Sequence, residues 1–197
     1  MSEQYESVEL VGDNTVYYLA MAVVVAALTA AFAQAALPYP LSPVPLTLQT
    51  MGVYLAGLLL GPVWGALALV LYVLAGVAGA PVFAGMTAGF GVVAGPNGGY
   101  LVSFPIAAAV IGALVHRRVE PRRLDSVSIP LQVAALGVGL VIIYAIGSLW
   151  LAFVTDQSLL TAVIQGGVVF VPGDAVKALA VMSLVTGGYL THAHIRE

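Results

Sequence analysis

Apolar residues run through this chain in long blocks, and the breaks between the blocks are rich in Pro and Gly. A helix needs about 20 apolar residues to cross a hydrocarbon core, and the pattern predicts six such helices, over 17–37, 46–60, 63–80, 100–115, 129–154 and 175–191. The first ends where Pro38, Pro40, Pro43 and Pro45 forbid a continuous helix. The second is short for a crossing unless its flanks extend it. Gly61-Pro62 marks a tight turn into the third. A Gly-rich stretch, 81–99, precedes the fourth, and a long connection, 155–173, precedes the sixth. The pattern therefore reads as an all-α integral membrane protein, a bundle of six transmembrane helices in a single transmembrane domain spanning 1–197.

Charge orients this bundle. Arg117, Arg118, Arg122 and Arg123 lie between the fourth and fifth spans, and Arg196, with His192 and His194 beside it, lies in the tail. Positively charged loops stay cytoplasmic, so both regions and, by an even count of spans, the N-terminus are expected inside. The connections 38–45, 81–99 and 155–173 then face outward, and none contains Lys or Arg. Long connections of this kind are commonly functional. The first apolar run ends in Ala33-Gln34-Ala35, which looks like a signal-peptidase site. A secretory signal begins with a basic segment, whereas Glu3, Glu6, Glu9 and Asp13 precede this run. It is expected to be a retained helix.

Composition narrows the class. The chain is 61% hydrophobic and 8% charged, against about 25% charged in soluble domains. No charged residue stands between Asp13 and Arg117. The absence of Cys excludes disulfides and thiolate chemistry. HExxH, GxSxG and P-loop patterns are missing, so no catalytic residue, metal or cofactor is expected. No nucleic-acid partner is expected either, and the surrounding partner is membrane lipid.

Candidate chemistry concentrates at Val171-Pro172-Gly173-Asp174-Ala175-Val176-Lys177. Lys177 is the only lysine, and Asp174 lies three residues before it on the same helix face. A cation in the first turn opposes the helix dipole, and a charge in the bilayer interior costs at least about 2.5 kcal/mol. The two residues are expected to line a polar site under the outer loops. There Lys177 would donate to an anionic or carbonyl-bearing ligand, and Asp174 would accept from N–H groups. The glycines of 83–100, including Gly85 and Gly98, allow backbone to approach a ligand closely. Thr87 and Asn97 add hydrogen-bonding groups, and Phe83, Phe90 and Tyr100 add an apolar wall. Tyr144, Gly147 and Trp150 fall at three-residue spacing on the fifth span. In the first span Ala22, Ala26 and Ala30 recur every four residues, as do Ala27 and Ala31. Such stripes admit another helix at van der Waals distance.

Read in order, these blocks resemble the BioY family, the biotin-specific substrate-capture components of energy-coupling factor transporters. The resemblance rests on Pro43-Val44-Pro45-Leu46-Thr47-Leu48-Gln49-Thr50, Gly57-Leu58-Leu59-Leu60-Gly61-Pro62, Pro81-Val82-Phe83-Ala84-Gly85 and Gly95-Pro96-Asn97-Gly98-Gly99-Tyr100-Leu101. Tyr144 with Gly147 and Trp150, and Pro172-Gly173-Asp174 with Lys177, complete it. Where this chain has Asn97, the family more usually has Thr. The resemblance implies a biotin pocket near the outer face of the cell membrane, with Asp174 and Lys177 as ligand-binding positions and Gln49, Tyr144 and Trp150 among the candidates. It also implies a transmembrane coupling protein, contacted by Ala22, Ala26 and Ala30, and two ATP-binding subunits that power uptake. Competing readings are capture of a different small vitamin, a non-transporting membrane scaffold and, more distantly, an intramembrane enzyme built on Asp174 and Lys177.

Overall fold

The structure, a computed structural model, describes residues 13–187. Glu3, Glu6, Glu9, His192, His194, Arg196 and the end of the sixth predicted span, 188–191, lie outside the described residues. The long helices are α1 (Asp13–Gln34), α2 (Gln49–Val77), α4 (Gly98–His116) and α5 (Ile129–Thr155). Shorter ones are α3 (Phe90–Ala94), α6 (Leu159–Gly166) and α7 (Val171–Thr186). Five helical stretches are long and apolar enough to cross a membrane, counting 159–186 as one. Their outward faces carry large apolar side chains such as Val23, Val141, Leu179 and Phe153, the last 80% exposed. Water does not tolerate so much uncovered apolar surface, and the fold is that of a multi-pass membrane protein.

Gln49–Val77 is not straight. Gly61 has φ 74° and ψ −170°, a conformation open essentially to glycine alone. Pro62 follows it, preset for the first turn of a new helix and in no need of a donor. The chain therefore doubles back. Gln49 Nε2 lies 2.7 Å from Tyr72 Oη, and a methyl group on Gly65 would lie 2.6 Å from the Ala56 carbonyl oxygen. Residues 49–60 and 62–77 thus form an antiparallel pair about the turn expected at Gly61-Pro62. Small residues set the other spacings. Gly52 meets Thr29 of α1, Gly57 meets Ile111 of α4, and Gly112 meets the Gly61-Pro62 turn.

The connection 155–173 departs from expectation. Most of this connection is helical. Ser158 caps α6, its hydroxyl accepting from the Thr161 N–H at 3.2 Å. After Gly166-Gly167 and a 3-10 turn, Val168–Phe170, the chain continues as α7. The sixth helix thus begins at Val171 rather than 175, and a second helix stands on top of it. The Gly-rich stretch 81–99 likewise contains a 3-10 turn, Ala84–Met86, and α3. The first helix stops at Gln34, short of 37, and Leu37 then pairs with Leu46 in an antiparallel bridge that closes the 38–45 loop.

The long connections gather at one end of the bundle. Tyr39 packs against Phe170 with ring centroids 5.5 Å apart, and Trp150 Nε1 donates to the Gly95 carbonyl at 2.9 Å. At the opposite end, His116 joins the Leu58 carbonyl at 2.9 Å and accepts from the Arg122 N–H at 3.1 Å. The exposed Asp125 there accepts from Arg123 at 2.8 Å, which holds its carboxyl below the usual range.

Candidate functional site

Beneath the loop end lies a cavity with about 590 Å³ of empty space, part of it open to solvent. Its floor is ionic. Asp174 and Lys177, on the first turns of α7, are 2% and 7% exposed, and Lys177 Nζ lies 2.7 Å from Asp174 Oδ1. Thr50 Oγ1 donates to the same oxygen at 2.6 Å, and the Tyr144 hydroxyl donates to Asp174 Oδ2. Helices α2, α5 and α7 therefore converge on one carboxylate. Eleven residues separate Tyr144 from the end of α5, so by the helical rise this junction lies about 17 Å below the loop end. Desolvating two charges there is costly unless their hydrogen-bonding capacity is met. Asp174 meets this with three donors. Lys177 Nζ carries three N–H groups and, among the described residues, donates only to Asp174. Its remaining donors have no protein acceptor, and the residue lines the cavity.

The walls come from every connection at the loop end. Val44, Leu46 and Thr47 line one side, Phe83 and Ala84 another, and Tyr100, Phe104, Ile143 and Phe170 complete an aromatic and aliphatic enclosure. Asn97 also lines the cavity, and its Oδ1 is buried without a partner. A buried acceptor without a donor costs stability, so this atom is poised for an N–H that the described residues do not provide. Gln49 lines the cavity too but is already engaged. Thr47 Oγ1 donates to its Oε1 at 2.9 Å, its Nε2 donates to Tyr72, and the Tyr72 hydroxyl donates to the Val82 carbonyl at 3.2 Å. This chain of bonds ties the first outer connection to the second.

The structure thus brings Asp174, Lys177, Asn97, Phe83, Gln49 and Tyr144 to one cavity. It does not place Gly85, Thr87, Gly98 or Trp150 on its lining. Gly85 and Thr87 are exposed on the 81–99 connection. Gly98 and Gly99 are packing positions: a methyl on Gly98 would lie 1.7 Å from the Val93 carbonyl oxygen, and one on Gly99 2.3 Å from Trp150 Cβ. Trp150 fastens the loop instead of facing the cavity. Ala22 is fully buried against the chain's own helices, and Ala26 and Ala30 are partly covered. The small residues that α1 turns outward are Ala20, Ala27 and Ala31. Thr50 and Phe170 were not anticipated. Thr50 lay within a block already singled out, but one hydroxyl in an apolar helix carries no signal of its partner.

A model of the BioY family matches residues 5–193. The probable biotin transporter BioY of Pyrococcus horikoshii is 42% identical over 139 residues, covering 70% of this chain and 76% of that protein. The biotin transporter BioY of Thermotoga maritima is 40% identical over 146 residues, covering 74% of this chain and 80% of that protein. Among solved structures, the S-component for biotin from an ECF-type ABC transporter superposes with a TM-score of 0.80 at 26% identity. That likeness covers 89% of this chain and 92% of that one.

Proposed function

The chain belongs to the BioY family, and on that premise we propose that it captures biotin at the outer face of the cell membrane and delivers it for ATP-driven uptake. It acts as the substrate-binding component of an energy-coupling factor transporter and catalyses no reaction of its own. The observation that carries this reading is the buried Asp174–Lys177 pair on the floor of an aromatic-walled cavity, where donors on Lys177 and an acceptor on Asn97 have no partner among the described residues.

Biotin's chemistry matches these groups. Its fused ring has two N–H donors and a carbonyl, its thioether ring is apolar, and its tail ends in a carboxylate. Lys177 donates to the carbonyl or the carboxylate, and Asn97 Oδ1 accepts from an N–H. Phe83, Tyr100, Phe104 and Ile143 enclose the apolar ring and tail. Asp174 keeps little free acceptor capacity beyond its three donors, so its main part is to hold Lys177 charged and aimed. Gln49 and Tyr144 brace the walls and floor, while Gly85, Thr87, Gly98 and Trp150 shape the loop above.

The six crossings proposed here are α1, the two halves of α2, α4, α5 and α6 with α7. Both termini lie in the cytoplasm, because the Arg117–Arg123 end carries the positive charge. The partners are a transmembrane coupling protein and two ATP-binding subunits. The coupling protein docks on the outward face of α1 at Ala20, Ala27 and Ala31, where small side chains let helices approach.

The test is mass spectrometry of the gently purified protein for bound small molecules, followed by calorimetric titration with biotin against a panel of other vitamins. Near-stoichiometric, nanomolar binding of biotin alone supports the reading. A folded protein that ignores biotin and takes another vitamin replaces the ligand, and one that takes none removes the capture role.

A further inference from the structure

The cavity's outer wall carries a strained turn that needs fastening. Gly85 and Met86 stand consecutively in the left-handed region, at φ 66° and φ 60°, and Met86 has no glycine-like freedom there. Directly before them come Phe83 and Ala84, which line the cavity. Two side chains from outside this segment hold it. The buried one is Tyr72, whose hydroxyl donates to the Val82 carbonyl at 3.2 Å. The other is Gln34, the amide inside the Ala-Gln-Ala run that mimics a cleavage site, and it is exposed. Its Oε1 accepts the Met86 N–H at 2.9 Å. Its Nε2 donates to the Ala30 carbonyl at 2.9 Å and reaches the Val82 and Phe83 carbonyls at 3.4 and 3.3 Å. One side chain at the end of α1 thus grips the backbone of the wall from both its donor and its acceptor ends.

We propose that Gln34 is a positioning residue for ligand exchange: it latches the 82–87 segment over the cavity, and its release opens that wall. Exposed hydrogen bonds exchange readily with water, whereas the buried Tyr72 contact does not, so the wall swings on Tyr72 and opens at Gln34. Because the latch sits on α1, a turn of α1 withdraws it from Met86. This inference rests on the biotin-capture reading for its purpose, and the hydrogen-exchange arm of its test is independent of that reading.

That test is hydrogen–deuterium exchange on the full-length, ligand-free protein, comparing wild type with Gln34→Ala and Gln34→Glu. The second variant keeps an acceptor for the Met86 N–H but sets a carboxylate against the Val82 and Phe83 carbonyls. Peptides covering 82–90 should exchange at least about fivefold faster in Gln34→Ala and faster than wild type in Gln34→Glu, with α4 and α5 unchanged. Biotin dissociation should quicken at least about threefold in Gln34→Ala. Wild-type exchange of 82–90 in both variants overturns the latch, as does unchanged biotin dissociation. If wild type binds no biotin, the capture reading falls alone, and the exchange data still decide the latch.

Discussion

At the scale of single residues, one carboxylate organises the site. Asp174 receives Lys177, Thr50 and Tyr144, and hydrogen bonds to charged groups contribute about 1.5–3 kcal/mol each. Lys177→Ala should weaken biotin binding at least about tenfold, equivalent to about 1.4 kcal/mol, and a calorimetric affinity equal to wild type would remove its role. Tyr144→Phe takes away one donor while keeping the ring. It should loosen biotin by a smaller factor and lower the melting temperature of the ligand-free protein, whereas equal stability would show that the hydroxyl does not support Asp174. Asp174 and Lys177 were legible in the sequence because a charge in an apolar helix demands a reason. Thr50 was not, since nothing in an isolated threonine says which helix it will meet.

At the scale of elements, legibility follows punctuation. Gly61-Pro62 announced its turn because only glycine takes that backbone and proline starts a helix well. Gly61→Ala should therefore cost about 1–3 kcal/mol, and Gly112→Ala, whose methyl would sit 2.4 Å from the Gly61 carbonyl carbon, a similar amount by overpacking. Thermal unfolding in detergent measures both, and a melting temperature unmoved by Gly61→Ala would contradict the turn. The same punctuation misled at 155–173. Gly166-Gly167 and Pro172 only interrupt a helical column there, and Ser158 caps the helix that begins it. On α1 the stripe of alanines was legible but its direction was not. A helix that is apolar all round gives no sign of which face is turned inward, and the buried face proved to run through Ala22, Val25, Thr29 and Ala33.

At the scale of the whole molecule, the ordering of loops into two ends came from arginines and glycines and reappears in the fold. Which end faces outward is checked by chemistry that this chain suits well, since it has no cysteine of its own. Cysteine introduced at the exposed Ala88 should react with a membrane-impermeant maleimide applied to intact cells, and cysteine at Val119, 60% exposed, only after the cells are opened. The reverse pattern would invert the orientation and place the cavity on the wrong side for capture. Sequence could not reveal how the cavity is assembled. Its walls are drawn from segments as distant as Val44, Phe83, Asn97 and Phe170, and only their meeting makes an enclosure.

The ion pair at the floor also bears on how the protein is made. Its two charges lie three residues apart on one helix, so the bridge needs no other span to form. Alone, either charge near the middle of a helix would burden insertion through the translocon by about 2.5–3.5 kcal/mol. Joined within α7, they can enter the bilayer as a neutral unit. The last span can thus be threaded before the pocket exists, and Thr50 and Tyr144 take hold of the carboxylate only when the helices later pack together.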